Sequence, residues 1–134
     1  MKLRILLVDD DRNLLAGLRR TLKAQCCDWE LGFAESGHEA LEQLACVPFD
    51  VVVTDLFMPM KDGLETIREL RGLYPELKII VISGGGWTQN PIFLDIARKL
   101  GAHYTLCKPF HPQELIEAVC EVLQNNALCS HPDA

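Results

Sequence analysis

Five short apolar runs constrain this chain more than any other feature: Leu3 to Val8, Glu30 to Ala34, Asp50 to Thr54, Lys78 to Ser83 and Tyr104 to Cys107. Longer amphipathic segments alternate with them, the pattern of βαβ units around a parallel sheet. Leu14, Leu15, Leu18 and Leu22 share a face of the first helix, and Leu115, Ile116, Val119 and Leu123 a face of the last. Both are ordinary core faces. Ser36 with Glu39 and Asp62 with Glu65 have capping-box spacing, and Pro91 and Pro112 suit a first turn, so every helix but the first has a start cue. Stops fall at Gly72, at Tyr74-Pro75 and at Leu100-Gly101. The expectation is one domain over residues 1–124 and a short frayed tail over 125–134, where periodicity is lost.

Several function classes drop out. No apolar run approaches the roughly 18 residues of a membrane span, and three aspartates interrupt the apolar start at once, so no export signal remains and a cytoplasmic location is expected. The net charge of -6, with no Lys/Arg stripe and no helix-turn-helix, argues against direct nucleic-acid binding. Six cysteines without C-x-x-C spacing read as reduced thiols, most of them packing residues.

The chemistry gathers at strand ends. Asp55 closes the run Val51, Val52, Val53, Thr54; Leu6, Leu7, Val8 run into Asp9, Asp10, Asp11; Leu106 and Cys107 run into Lys108-Pro109. Open α/β sheets place their sites at the carboxyl ends of their strands. If Asp9, Asp10 and Asp55 meet there, like charges about 4 Å apart repel by about 4 kcal/mol at a dielectric near 20, and the cluster requires a cation. Hard carboxylate oxygens with room for water suit Mg²⁺, with Mn²⁺ as a substitute, and an Asp55 oxygen can then attack phosphorus. Lys108 and the Ser83 hydroxyl would complete the shell around the transferring phosphoryl group. Gly84-Gly85-Gly86 removes bulk beyond Ser83, so that a phosphodonor or partner can approach.

These residues strongly resemble the response-regulator receiver family of two-component signalling over about Lys2 to Gln124. The resemblance is carried by the acidic pair, the D-L-x-M-P-x-x-D-G stretch from Asp55 to Gly63, the Ser, the Lys-Pro and the five-fold βα rhythm. It implies a flavodoxin-like, doubly wound three-layer α/β/α fold with strand order 2-1-3-4-5. It implies a phosphoacceptor signalling domain rather than an enzyme, with Asp55 phosphorylated by a phosphohistidine of a sensor kinase or phosphotransfer protein. By the family pattern Asp10, Asp55 and the Phe57 carbonyl ligate Mg²⁺ beside Asp9, Lys108 pairs with the phosphoryl group, Ser83 reports it, and the Lys108-Pro109 bond is cis. The output would be a changed surface for a protein target, and the face of the fourth helix, fifth strand and fifth helix allows a homodimer. The family's aromatic switch position is Thr105 here, with Tyr104 one residue earlier and, by alternation, on the opposite face. Switching is therefore expected to rely on the glycine loop and fourth helix. Phe57 and Gly85 occupy positions that tune water access in this family.

Plainer roles fit other residues. Asp62 reads as a helix cap, Met58 and Met60 as packing, Cys107 as a small buried hydrophobe, and Trp87 as either a partner contact or a loop residue. His38, His103, His111 and His131 lack metal-pair spacing. Asp9-x-Asp11 echoes haloacid-dehalogenase-like phosphatases with Asp9 as nucleophile, but Arg12-Asn13 stands where Gly-Thr is expected, and there is no room for a cap domain. A flavin or dinucleotide binder would need a phosphate cradle where this chain has three acids. A phosphorylation-independent adaptor is the non-catalytic alternative.

Overall fold

The computed structural model describes residues 2–26, 28–58, 61–84 and 91–123. In chain order these form β1 (Leu3–Val8), α1 (Arg12–Gln25), β2 (Trp29–Ala34), α2 (Gly37–Cys46) and β3 (Val51–Asp55). There follow α3 (Gly63–Leu73), β4 (Lys78–Ser83), α4 (Pro91–Leu100), β5 (Tyr104–Cys107) and α5 (Pro112–Leu123). Between β3 and α3, the two-residue strands Phe57–Met58 and Lys61–Asp62 pair antiparallel. The five main strands form one parallel sheet in the order β2-β1-β3-β4-β5, the doubly wound arrangement that the sequence predicts. Strand order reverses between β1 and β3, which opens a crevice beyond their carboxyl ends.

Alternation along each strand divides the core in two. Ile5, Leu7, Val51, Val53, Ile80 and Ile82 pack under α1 and α5, while Leu6, Val8, Val52, Ile79 and Val81 pack under α2, α3 and α4. A sheet covered on both faces needs apolar residues at every position, hence the unbroken runs. Each fully buried Ile or Leu contributes about 1.5–3 kcal/mol.

Three boundaries differ from expectation. Strand β2 begins at Trp29, which pairs with Leu3. Strand β3 runs from Val51 through Asp55 because Asp55 still pairs with Ile82, while Asp50 stays outside and accepts a hydrogen bond from the Arg4 amide at 2.9 Å. Helix α1 does have a cap: Asp11 Oδ1 accepts from the Asn13 and Leu14 amides at 3.0 and 3.2 Å. Asp62 directly precedes α3.

The cysteines also depart from the prediction. Cys46 and Cys107 are exposed free thiols rather than packing residues, and Cys120 is disulfide-bonded rather than reduced. Along α1, Arg12, Arg19 and Lys23 line up on one flank, a local cationic stripe that the whole-chain charge conceals. Among the described residues no helix is long and apolar enough to cross a membrane.

Arg71 fastens α3 to the far side of the sheet. Its guanidinium donates to the carbonyls of Pro75, Leu77 and Gly101, the last two at 3.0 and 2.9 Å. Gly101 has φ +129°, and a Cβ there would stand 2.7 Å from Arg71 Nε. His103 Nδ1 accepts from the Ile79 amide at 3.1 Å. Burial and the charges of Arg71 and Lys78 hold this imidazole below the usual histidine range.

Candidate functional site

The crevice collects residues from three strand ends. Asp9 follows β1 and is buried, with its amide donating to the Ala34 carbonyl at 3.0 Å and its Oδ1 accepting from the Asp11 amide at 2.9 Å. Asp10 is exposed beside it. Asp55 ends β3 and is buried. One carboxylate oxygen from each of Asp9, Asp10 and Asp55 lies within 4.8 Å of the others.

Lys108, just beyond β5, reaches across. Its Nζ stands 2.8 Å from Asp9 Oδ2 and 3.1 Å from Asp55 Oδ2. Burial disfavours the ammonium charge, but the close approach of the Asp9 and Asp55 carboxylates outweighs it and holds Lys108 above the ordinary lysine range. Lysine fixes the charge balance of the pair but leaves Asp9 Oδ2 without a well-aligned hydrogen bond; the 2.8 Å approach is a charge contact only. A buried carboxylate oxygen in that state, among three hard oxygen donors, fits a small divalent cation.

Ser83, at the end of β4, is fully buried, and its hydroxyl stands 3.4 Å from the Leu106 carbonyl and 3.6 Å from Cys107 Sγ. Both contacts are long. Its carbonyl accepts from the Lys108 amide at 2.8 Å, which ties the serine and lysine strand ends together. The Lys108-Pro109 peptide bond is cis. Tyr104 packs with the core under α1 and α5, as Leu106 does, so alternation puts Thr105 on the other face of the sheet. Phe57 is placed by its backbone in the short strand after β3. Pro59, Met60, Gly85, Gly86, Trp87, Gln124 and the tail 125–134, His131 included, lie outside the described residues.

Asp11, the third acid of the run, is not a site residue. Its carboxylate caps α1, which removes the second acid that a dehalogenase-like phosphatase would use. The cap was legible in principle, since an Asp two residues before Asn13 at a helix start is a common N-cap.

A family model described as the response regulator receiver domain matches residues 5–120. The chain is 37% identical over 124 residues to the response regulator MprA of Mycobacterium tuberculosis (strain H37Rv), covering 92% of this chain and 52% of that protein. It is 34% identical over 126 residues to the Bacillus subtilis transcriptional regulatory protein YesN, covering 90% of this chain and 32% of that one. The chain thus spans about a third to a half of the length of these curated relatives. Among solved structures it resembles a CheY-like receiver domain protein from Methanospirillum hungatei JF-1, with TM-score 0.82, 27% identity, and 92% and 95% of the two chains covered. Vibrio cholerae chemotaxis protein CheY4 also aligns, with TM-score 0.82, 27% identity and coverage of 91% and 99%.

Proposed function

The chain belongs to the response regulator receiver domain family of two-component systems, and from that membership we propose that Asp55 accepts a phosphoryl group from a phosphohistidine of a sensor kinase or histidine phosphotransfer protein. The observation that carries the proposal is the single lysine poised between two buried acids at the mouth of the crevice. An Asp55 oxygen attacks phosphorus; the O–P bond forms as the donor's N–P bond breaks, and the bonding pair leaves with the imidazole. Asp9, Asp10, Asp55 and the Phe57 carbonyl would hold Mg²⁺ (or Mn²⁺), which when bound supplies positive charge to the carboxylates and phosphoryl oxygens.

Transfer moves negative charge outward from the Asp55 carboxylate to the phosphoryl oxygens. Lys108, on a flexible stem and a quarter exposed, can follow that charge without leaving the crevice. Ser83 can follow too, because its present contacts at 3.4 and 3.6 Å are weak enough to exchange for a phosphoryl oxygen. With Thr105 in place of an aromatic, the movement would be taken up by the segment from Gly84 to Leu100, with Tyr104 staying in its core. Exposed Ile92 and Ile96, four residues apart on α4, support a protein-binding output or a homodimer on the α4-β5-α5 face. A cytoplasmic setting follows from the kinase partner.

The test is intact-protein mass after incubation with a small-molecule phosphodonor, with and without Mg²⁺, for wild type and Asp55→Asn. One added phosphoryl group that requires both Mg²⁺ and Asp55 is expected. No addition under any condition, confirmed with a phosphorylated kinase as donor, would favour a phosphorylation-independent adaptor.

A further inference from the structure

Helix α1 carries Arg12, Arg19, Arg20 and Lys23 and no acid, in a chain whose net charge is -6. Cations on a solvated helix are ordinarily interspersed with acids at i,i+4. Here Arg12, Arg19 and Lys23 recur at i, i+7 and i+11, one stripe about 16 Å long at 1.5 Å per residue. The stripe faces β2, since Arg12 pairs with Glu35 at 3.0 Å and the Arg19 guanidinium lies 5.4 Å from the centre of the Phe33 ring.

Strand β2 is an edge strand of the sheet, so this flank borders open space. Two adjoining cavities of 560 and 530 Å³ share Arg19, Lys23 and Phe33 as lining and together form a groove along α1 and β2. Its floor is apolar, with Leu31 and Phe33 half-buried. The acids beside it are already engaged, Glu30 by Arg4 at 3.2 Å and Glu35 by Arg12. Lys2, Arg19, Arg20 and Lys23 have no carboxylate partner among the described residues.

We propose that the α1–β2 groove is a docking surface for an acidic, amphipathic polypeptide segment of a partner protein. Its carboxylates would meet Arg19, Arg20 and Lys23, and its apolar side chains would lie on Leu31 and Phe33. Charge complementarity selects an acidic partner, and the apolar floor selects a polypeptide over a phosphate polymer. A DNA duplex presents a charge every ~1.7 Å, and the rest of this anionic chain repels such density. The groove shares no lining residue with the acid cluster of the Asp55 crevice.

Fluorescence anisotropy with a labelled peptide of alternating Glu and Leu tests the surface. Comparison probes are a Glu/Ser peptide, a Lys/Leu peptide and a short DNA duplex. Saturable binding of the Glu/Leu peptide is expected, weakened about tenfold or more by combined Arg19→Glu and Lys23→Glu and by added salt. It should be unchanged by Arg98→Glu on the exposed side of α4. Lys23→Glu alone touches no ring and keeps the test intact if the double variant loses its circular dichroism spectrum. No binding, binding indifferent to charge reversal, or equal affinity for the Glu/Ser peptide or the duplex would overturn the proposal.

Discussion

Replacing Lys108 with alanine should have two linked effects. Asp9 has a side chain only 2% exposed and loses the one cation paired with it among the described residues, while the Asp11 amide still serves its other oxygen. Breaking a buried ion pair from one side costs about 3–5 kcal/mol. Lys108 is 26% exposed, so solvent softens its charge and the lower end, about 3 kcal/mol, applies. For a domain of this size that corresponds to a fall in Tm of about 10 °C. The second effect concerns metal: Lys108 and a divalent cation would offset the charge of the same carboxylates, so excess Mg²⁺ should restore most of the lost stability and raise the variant's Tm more than that of wild type. Thermal unfolding by circular dichroism in EDTA and in MgCl₂ reads both. Lys99→Ala, whose pair with Asp95 is exposed on both sides, should change little. An unchanged Tm in EDTA, or a gap that Mg²⁺ leaves untouched, would refute this account of the cluster.

Other perturbations separate site from scaffold. Asp11→Ala should cost about 1 kcal/mol by removing the α1 cap yet leave phosphorylation of Asp55 intact; loss of labelling in a folded variant would return Asp11 to the site. Gly101→Ala should destabilise by about 1–3 kcal/mol, because its positive φ and the nearby Arg71 side chain both oppose a Cβ, and denaturant titration would show it. His103 must stay neutral at Nδ1 to accept from Ile79, and its folded pKa is lowered. The unfolded chain therefore takes up the proton first, near pH 6.5, and the stability this group contributes is full above that value and declines as pH falls through the folded pKa. His103→Asn, which keeps an acceptor that does not titrate, should flatten that acid-side decline, and equal slopes for both proteins would contradict it.

The sheet was legible because a strand buried on both faces writes itself as a nearly unbroken apolar run; β1 and β4 begin and end where the sequence predicts, as does the edge strand β5. Edges were less so. Trp29 joins β2 through pairing with Leu3, and Asp55 joins β3 through pairing with Ile82, contacts made by residues far away in the chain. Cys107 follows a strand pattern yet is exposed, because the short β5 closes the sheet and its last residue stands at the crevice rim. Arg71 gave no sequence signal, since its partners are mainly carbonyls supplied by two loops.

The three consecutive acids show how backbone geometry divides chemistry among identical side chains. Leaving β1, the chain must turn into α1 within three residues. Asp9 still follows the strand, hydrogen-bonded to Ala34 and buried, so its carboxylate is fixed on the crevice floor. Asp11 already belongs to the helix, and its oxygen is claimed by two amides that would otherwise lack partners. Asp10, between them, has neither commitment and stays exposed while still offering an oxygen to the cluster. Residues that sequence alone cannot rank thus acquire a buried anchor, an exposed ligand and a structural cap. The order follows from the strand ending where it does, so lengthening the turn by one residue should disable the cluster even with every acid retained.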